Sequence, residues 1–229
     1  MCAERESREV SDGGGIAMKS KAHTIYKVDG IRVPGVTTII GLRAKPALIK
    51  WANNLGLKGI DSAKFTDDKA TIGTLAHEMI LAHFKGKEAD TSDYSKNQID
   101  AAENSLLSFY EWEKGKDIKP ILTETPLTSL CMYGGTIDLY CELDGVPTLV
   151  DFKTGSGIYD EHYYQLCAYR NLLHEAEYEI DTARILNIPR TEDERFNEKV
   201  YTDFYHGWRW FQAMLEVYQI EARIKKEAA

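Results

Sequence analysis

Apolar and polar positions along the chain change period several times, and each change marks an element. Thr24 to Val33 alternates about Asp29-Gly30 and predicts a small hairpin. Val36 to Ile40 is β-branched and apolar. Pro46 to Leu57 has helical spacing, with Leu48, Ile49, Trp51, Ala52 and Leu55 as its apolar stripe. Residues 58–66 read as a connection. A helix follows from about Asp67 to Phe84 and stops at Lys85-Gly86; after a polar loop over 87–95, another runs from Asn97 to Lys114. Ile121 to Leu130 is a strand candidate, Tyr159 to Glu175 a helix, and Thr182 to Pro189 a buried strand. Residues 190–197 form a charged loop, Glu198 to Asp203 a short edge strand, and Phe204 to Lys226 a terminal helix rich in aromatics. Helices before and after a β core predict an α/β fold with a mixed sheet.

The densest chemistry falls on one predicted hairpin. Gly134-Gly135-Thr136-Ile137-Asp138 leads in, Asp144-Gly145 is a strong turn signal, and Val150-Asp151-Phe152-Lys153-Thr154 leads out. With Asp144-Gly145 at the tip, Asp138 falls opposite Asp151, and Lys153 points to the same face as Asp151. A three-residue loop with a bulge would shift this pairing by one. Ile137, Leu139, Cys141, Thr148, Val150 and Phe152 then form a core face, and Asp138, Tyr140, Leu149, Asp151 and Lys153 the other. Two carboxylates directly opposed stand about 5 Å apart, a destabilising pair unless a cation lies between them. A divalent metal is the natural occupant.

Composition narrows the class. The chain has 229 residues, enough for one large domain, and 43% hydrophobic content is ordinary for a globular protein. No run of 18 apolar residues exists, so no transmembrane helix is expected. The N-terminus is charged and Gly-rich without an apolar core, unlike a secretory signal. A flexible lead-in over 1–22 and one domain over 23–229 are expected. Cys2, Cys131, Cys141 and Cys167 show no paired spacing and read as reduced thiols, which disfavours structural zinc and suits a cytoplasmic protein. The net charge of −8 argues against nonspecific coating of nucleic acid, though not against a local phosphate-gripping groove. Lysines 45, 50, 58, 64 and 69 precede or begin the first long helix and, on charge alone, read as a solvated surface.

Asp138, Asp151 and Lys153 suit a metal-dependent hydrolase: hard oxygen ligands favour magnesium or manganese, and a lysine nearby can orient water or stabilise charge. A D-x-K tripeptide alone is weak evidence, since a salt bridge on a surface hairpin has the same sequence. Three further features add to it. Gly73 lies one turn before His77 on a helix face; Gln165 and Tyr169 share a helix face with His162; and Glu124 lies on the strand preceding Asp138. His77 and His83 are six apart, so an H-E-x-x-H zinc site is excluded.

In their order, Gly73/His77, Glu124, Gly135/Asp138, Asp151/Lys153 and Gln165/Tyr169 resemble the PD-(D/E)XK nuclease superfamily and its RecB-type exonuclease branch. The resemblance covers roughly residues 23–190 and includes Tyr26 to Gly30 and Val33 to Ile40, which look like the N-terminal segment of compact phage and prophage members. It implies a restriction-endonuclease-like core with a central mixed sheet flanked by helices. It also implies a cytoplasmic Mg²⁺- or Mn²⁺-dependent deoxyribonuclease acting on DNA, an exonuclease more than an endonuclease, in recombination or repair. A recombination protein or single-strand-binding protein is the expected partner, with no membrane involvement. His77, Asp138 and Asp151 would be metal ligands with the Phe152 backbone carbonyl; Lys153 would be catalytic; Glu124 would tune the metal site; Gln165 and Tyr169 would steady the lysine and the phosphate. Position 35 is Gly where similar proteins carry a small hydroxyl residue, which removes one phosphate contact. Cysteine is absent after Cys167, so no iron–sulfur cluster is expected, and no G-x-x-x-x-G-K-[ST] motif supplies an ATP motor. Trp51 and Tyr163 could stack on unpaired bases, although core packing is the ordinary role for Trp51. A non-catalytic DNA-binding or assembly protein on the same fold is the principal rival reading.

Overall fold

A computed structural model describes residues 24–228, so the expected lead-in over 1–22 lies outside the described residues. The chain opens with the predicted hairpin, β1 (Tyr26–Val28) and β2 (Ile31–Val33), whose turn residues Asp29 and Gly30 both have positive φ. Helices α1 (Val36–Ile40), α2 (Pro46–Leu57), α3 (Ser62–Phe84) and α4 (Lys96–Glu113) follow. Strands β3 (Ile118–Ser129), β4 (Tyr133–Leu143) and β5 (Val146–Lys153) lead to α5 (Asp160–Glu175), β6 (Thr182–Asn187), β7 (Asn197–Tyr201) and α6 (Tyr205–Glu227).

Two stretches depart from the sequence pattern. Val36 to Ile40 is helical despite its β-branched residues, because Val36, Ile39 and Ile40 at i, i+3 and i+4 all reach one buried cluster. Helix α3 begins at Ser62, well ahead of the expected Asp67, because the Asp61 carboxylate accepts the backbone N–H groups of Ala63 and Lys64 at 2.9 and 3.2 Å.

The five-stranded sheet has the order β3-β4-β5-β6-β7, parallel between β5 and β6 and antiparallel elsewhere. The parallel pair requires a crossover, which α5 supplies. Helices cover both faces. On one, α1, α5 and α6 pack Val36, Leu166, Leu172 and Phe211 against Tyr140, Leu149 and Ile185. On the other, Ile80 of α3 and Phe109 and Trp112 of α4 meet Leu139, Val150, Phe152 and Leu186. The hairpin therefore has two core faces, not the single one its alternation suggested, as strands of an enclosed mixed sheet must. Of its two outer strands, β3 carries Pro120 and Pro126, and β7 is short.

The β4–β5 register is the predicted one, with Leu143 opposite Val146 and Leu139 opposite Val150. Pairing ends there, one step before Asp138 and Asp151. On the β3 side, Thr123 pairs with Leu139 and Thr125 with Ile137, and the position between them is again skipped. Asp138 thus has no ladder partner on either flank. The residue it would face, Glu124, sits at φ 46°, in the left-handed region within a strand. Side-chain alternation slips by one at the same place. Gly135 and Ile137 turn toward α5, as does Tyr140, while Leu139 packs on the opposite layer. Ile137 therefore leaves the face on which strict alternation puts it.

Left-handed backbone costs a residue with a Cβ about 1–2 kcal/mol. Glu124→Gly is expected to be more stable than Glu124→Ala by about 1 kcal/mol, both variants having lost the carboxylate. Denaturant unfolding of the two variants checks this; equal stabilities would contradict the strained position.

Candidate active site

Five elements converge at this break in the sheet. Helix α3 brings His77 because Gly73, one turn earlier, lets the helix lie against the end of β5. A Cβ on Gly73 would stand 2.6 Å from the Thr154 hydroxyl oxygen. The His77 ring meets the Phe152 ring edge-on at 5.9 Å and places Nδ1 3.7 Å from Asp138 Oδ2. The same Oδ2 accepts the Phe152 backbone N–H at 3.0 Å, so a side chain of β4 takes an amide of β5 where the ladder has ended. Asp151 is only 1% exposed; its Oδ2 lies 2.6 Å from Lys153 Nζ, and Oδ1 finds no donor among the described residues. A single ion pair leaves half of a buried carboxylate unsatisfied, which is costly without a further cation or donor.

Helix α5 closes the site from the other layer. Gln165 Nε2 donates to the Tyr169 hydroxyl oxygen at 2.7 Å, leaving the phenol its own proton to donate. Gly135 makes room for that ring, since a Cβ there would come within 2.5 Å of Tyr169 Cε1. The neighbouring Gly134 lies under the Tyr26 ring, and the Tyr26 hydroxyl is 2.9 Å from Thr136 Oγ1, which latches the β1–β2 hairpin onto β4.

The electrostatics match the geometry. Burial pushes the Asp151 carboxyl up to about 6, Lys153 opposing and Asp138 reinforcing the shift. Burial also raises Asp138; Lys153 works against this, while the charge of Glu124 adds to it. The Tyr169 phenol is held far above its ordinary range by burial and then by the two aspartates. At the start of α5, His162 Nδ1 accepts the Tyr159 N–H at 3.3 Å, and burial with the nearby Lys153 charge pushes the imidazole down to about 4.

The structure thus gathers His77, Glu124, Asp138, Asp151, Lys153 and Tyr169, with Gln165 behind Tyr169. The donor set is a buried carboxylate, a half-buried one and an imidazole; the hard carboxylate oxygens suit Mg²⁺ or Mn²⁺, the borderline imidazole favours Mn²⁺ of the two, and Asp151 Oδ1 has no hydrogen-bond partner among the described residues. No three acid, histidine or cysteine side chains among the described residues enclose an ion by themselves. A cation here would need backbone oxygen or water as well. Sequence reasoning missed Thr154 and Tyr26. The signal was present in the glycines, since Gly73, Gly134 and Gly135 inside regular elements mark close approach by another group. Tyr163 is half-buried at the edge of the core, stacked on Tyr201 at 4.8 Å with its hydroxyl donating to the Asp203 carbonyl, whereas Trp51 is 39% exposed and not the core residue expected.

No protein-family model and no curated protein matches the chain. Among solved structures, a candidate exonuclease from Eubacterium rectale matches with 13% identity and a TM-score of 0.45, covering 69% of each chain. LHK-Exo in complex with dAMP matches with 9% identity and a TM-score of 0.42 over 68% of this chain and 81% of that one. The alkaline exonuclease LHK-Exo from Laribacter hongkongensis matches a second time at 13% identity and a TM-score of 0.35, over 68% and 84%. Superpositions with TM-scores below 0.5 are loose, and the site's own residues carry the functional reading.

Two outcomes follow from this geometry. Gly73→Ala is expected to destabilise by about 1–3 kcal/mol through its clash with Thr154, and Thr154→Ala to suppress most of that loss; additive effects in a double-mutant cycle would show that the contact is not the cause. A carboxyl raised to about 6 favours the protonated folded state, so its unfavourable contribution appears as pH rises from about 4 and is complete above about 6. In chelator, wild type should therefore lose on the order of 3 kcal/mol relative to Asp151→Asn across that window. Parallel stability–pH curves for the two proteins would show that Asp151 titrates normally.

Proposed function

We propose that the chain is a Mg²⁺- or Mn²⁺-dependent deoxyribonuclease, and specifically an exonuclease of the RecB-type PD-(D/E)XK branch that serves phage or prophage recombination or repair. The observation that carries this reading is the ion pair of the buried Asp151 with Lys153 beside an Asp138 that accepts the Phe152 amide and lies 3.7 Å from His77 Nδ1, all at one break in the sheet. A fold needing only stability would fill such a place with apolar side chains, because buried ion pairs of this kind seldom stabilise more than a hydrophobic replacement does.

Asp138, Asp151, His77 Nδ1 and the Phe152 carbonyl would hold the cation, with Glu124 tuning Asp138 by its charge. When bound, a divalent cation supplies a polarised water and neutralises charge on the scissile phosphate. The residues of this chain do the rest. Asp151 holds the Lys153 ammonium at the site, where it can donate to a phosphate oxygen as negative charge builds during in-line attack. Tyr169 keeps its proton and, oriented by Gln165, can donate to a phosphate oxygen or an aspartate. Phosphate contacts of this kind carry no base information, so cleavage should be independent of sequence and sensitive to salt.

Lys153→Ala is expected to lower cleavage of end-labelled linear DNA in Mn²⁺ or Mg²⁺ by about 10²–10³-fold while leaving the circular dichroism spectrum unchanged. Closed circular DNA should resist the wild type. Cutting of circles would make the enzyme an endonuclease, and no cleavage of any substrate with either metal would overturn the catalytic reading in favour of a DNA-binding protein.

A further inference from the structure

Helix α2 is amphipathic in sequence, yet it has no buried residue. Only Ala52 and Leu55 of its predicted stripe are even half-covered, while Leu48 is 52% exposed, Ile49 76% and Trp51 39%. Apolar residues crowded into one exposed place signal a binding surface, where scattered ones do not. Trp51 of this stripe is itself an accessible aromatic ring, and it stands beside a second one, Phe65. Trp51 and Phe65, the latter on the first turns of α3, lie 6.0 Å apart with their planes at 59°, and Lys69 Nζ stands 5.7 Å from the Phe65 centroid.

Charge says what this surface fits. Residues 43–69 contain six Arg and Lys against three Asp in a chain whose net charge is −8; Arg43 and Lys45 are paired with Asp160 and Glu161, which leaves Lys50, Lys58, Lys64 and Lys69 as the cations this stretch can offer. Lys69 beside the Phe65 ring, with Lys50 and Lys64 next to Trp51 and Phe65 in the chain, makes these exposed rings complementary to a polyanion with faces to stack. The surface is also tied to the elements that carry the candidate active site. Lys45, at the start of α2, pairs with Glu161 at 2.6 Å, one turn before Gln165 on α5. Phe65 lies twelve residues before His77 on α3, about 18 Å along the helix.

We propose that this α2–α3 corner binds an unpaired nucleic-acid strand, with Trp51 and Phe65 stacking on bases and the surrounding lysines meeting phosphates. Exposed base faces select single strands, because a duplex hides them. The proposal rests on the nuclease reading for the nature of the ligand, and it places a second contact region outside the cleavage site.

The test uses the full-length chain carrying Lys153→Ala, in chelator, with fluorescein-labelled oligodeoxythymidylate and a duplex of equal length as probes. Adding Trp51→Ala and Phe65→Ala should weaken oligodeoxythymidylate binding about tenfold per aromatic and leave duplex binding nearly unchanged. Lys50→Glu with Lys58→Glu, which touches no ring, should weaken binding and flatten its salt dependence. Circular dichroism of each variant controls for folding. Unchanged binding to the single strand would overturn the proposal. So would loss of binding to phosphatidylserine vesicles, or of self-association in light scattering, as the only effect of the aromatic substitutions, since the surface would then belong to a membrane or a second copy. Hydrolysis of bis(p-nitrophenyl) phosphate by otherwise wild-type protein with and without the aromatic changes separates the two readings. That substrate is too small to reach the corner, so inertness of both it and linear DNA toward wild type in Mg²⁺ and Mn²⁺ would sink the nuclease chemistry while the oligonucleotide binding still decides the surface.

Discussion

Taking carboxylates out of water inside a sheet is the constraint on which the rest of the structure depends. A carboxylate as buried as Asp151 must find opposite charge or give up its own, and the molecule does some of each: Lys153 is drawn to one oxygen, and the carboxyl's proton affinity rises. An ordinary ladder offers no backbone donor to a side chain, because its amides are used between strands. Ending the β4–β5 ladder at Leu139 and Val150 frees the Phe152 amide for Asp138, and the left-handed turn of Glu124 accommodates the slip on the other flank. The irregularity and the charges are therefore one feature. Strain of a few kcal/mol is tolerable only because both faces around it are packed with apolar residues.

Packing this close to charged groups requires absent side chains. Gly73, Gly134 and Gly135 are each filled from outside, by Thr154, Tyr26 and Tyr169. These three contacts set the distances between α3, the N-terminal hairpin, β4 and α5, and so fix where His77 and Tyr169 stand relative to the aspartates. The site is held together by what its glycines omit as much as by what its polar residues join.

Much of this was legible in sequence for local reasons. Asp144-Gly145 fixes a hairpin register because both residues accept positive φ, and Pro46 at a helix start marks α2 to the residue. Tertiary effects were less accessible. Val36 to Ile40 has strand-like residues in helical spacing, and only the cluster beneath it decides between them. The second core face of the hairpin depended on α5 and α6 arriving from later in the chain. The parity slip at Asp138 lies opposite Glu124, a residue with no sequence mark of left-handed backbone. Helix α2 shows the opposite error: periodicity correctly predicts an apolar face but is silent on whether anything within the chain covers it.

The two outer strands carry a consequence for assembly. An open strand edge is a template for another chain, and long bare edges lead to fibres. Here β3 has proline at 120 and 126, which interrupts its row of amide donors, and β7 spans only Asn197 to Tyr201 with Lys199 at its centre. Neither margin can extend smoothly into a neighbour's sheet. The protein is thus guarded against polymerising through its backbone even while it exposes greasy helical surface, and copies that meet must do so side chain to side chain, by contacts that mutation can tune and dilution can reverse.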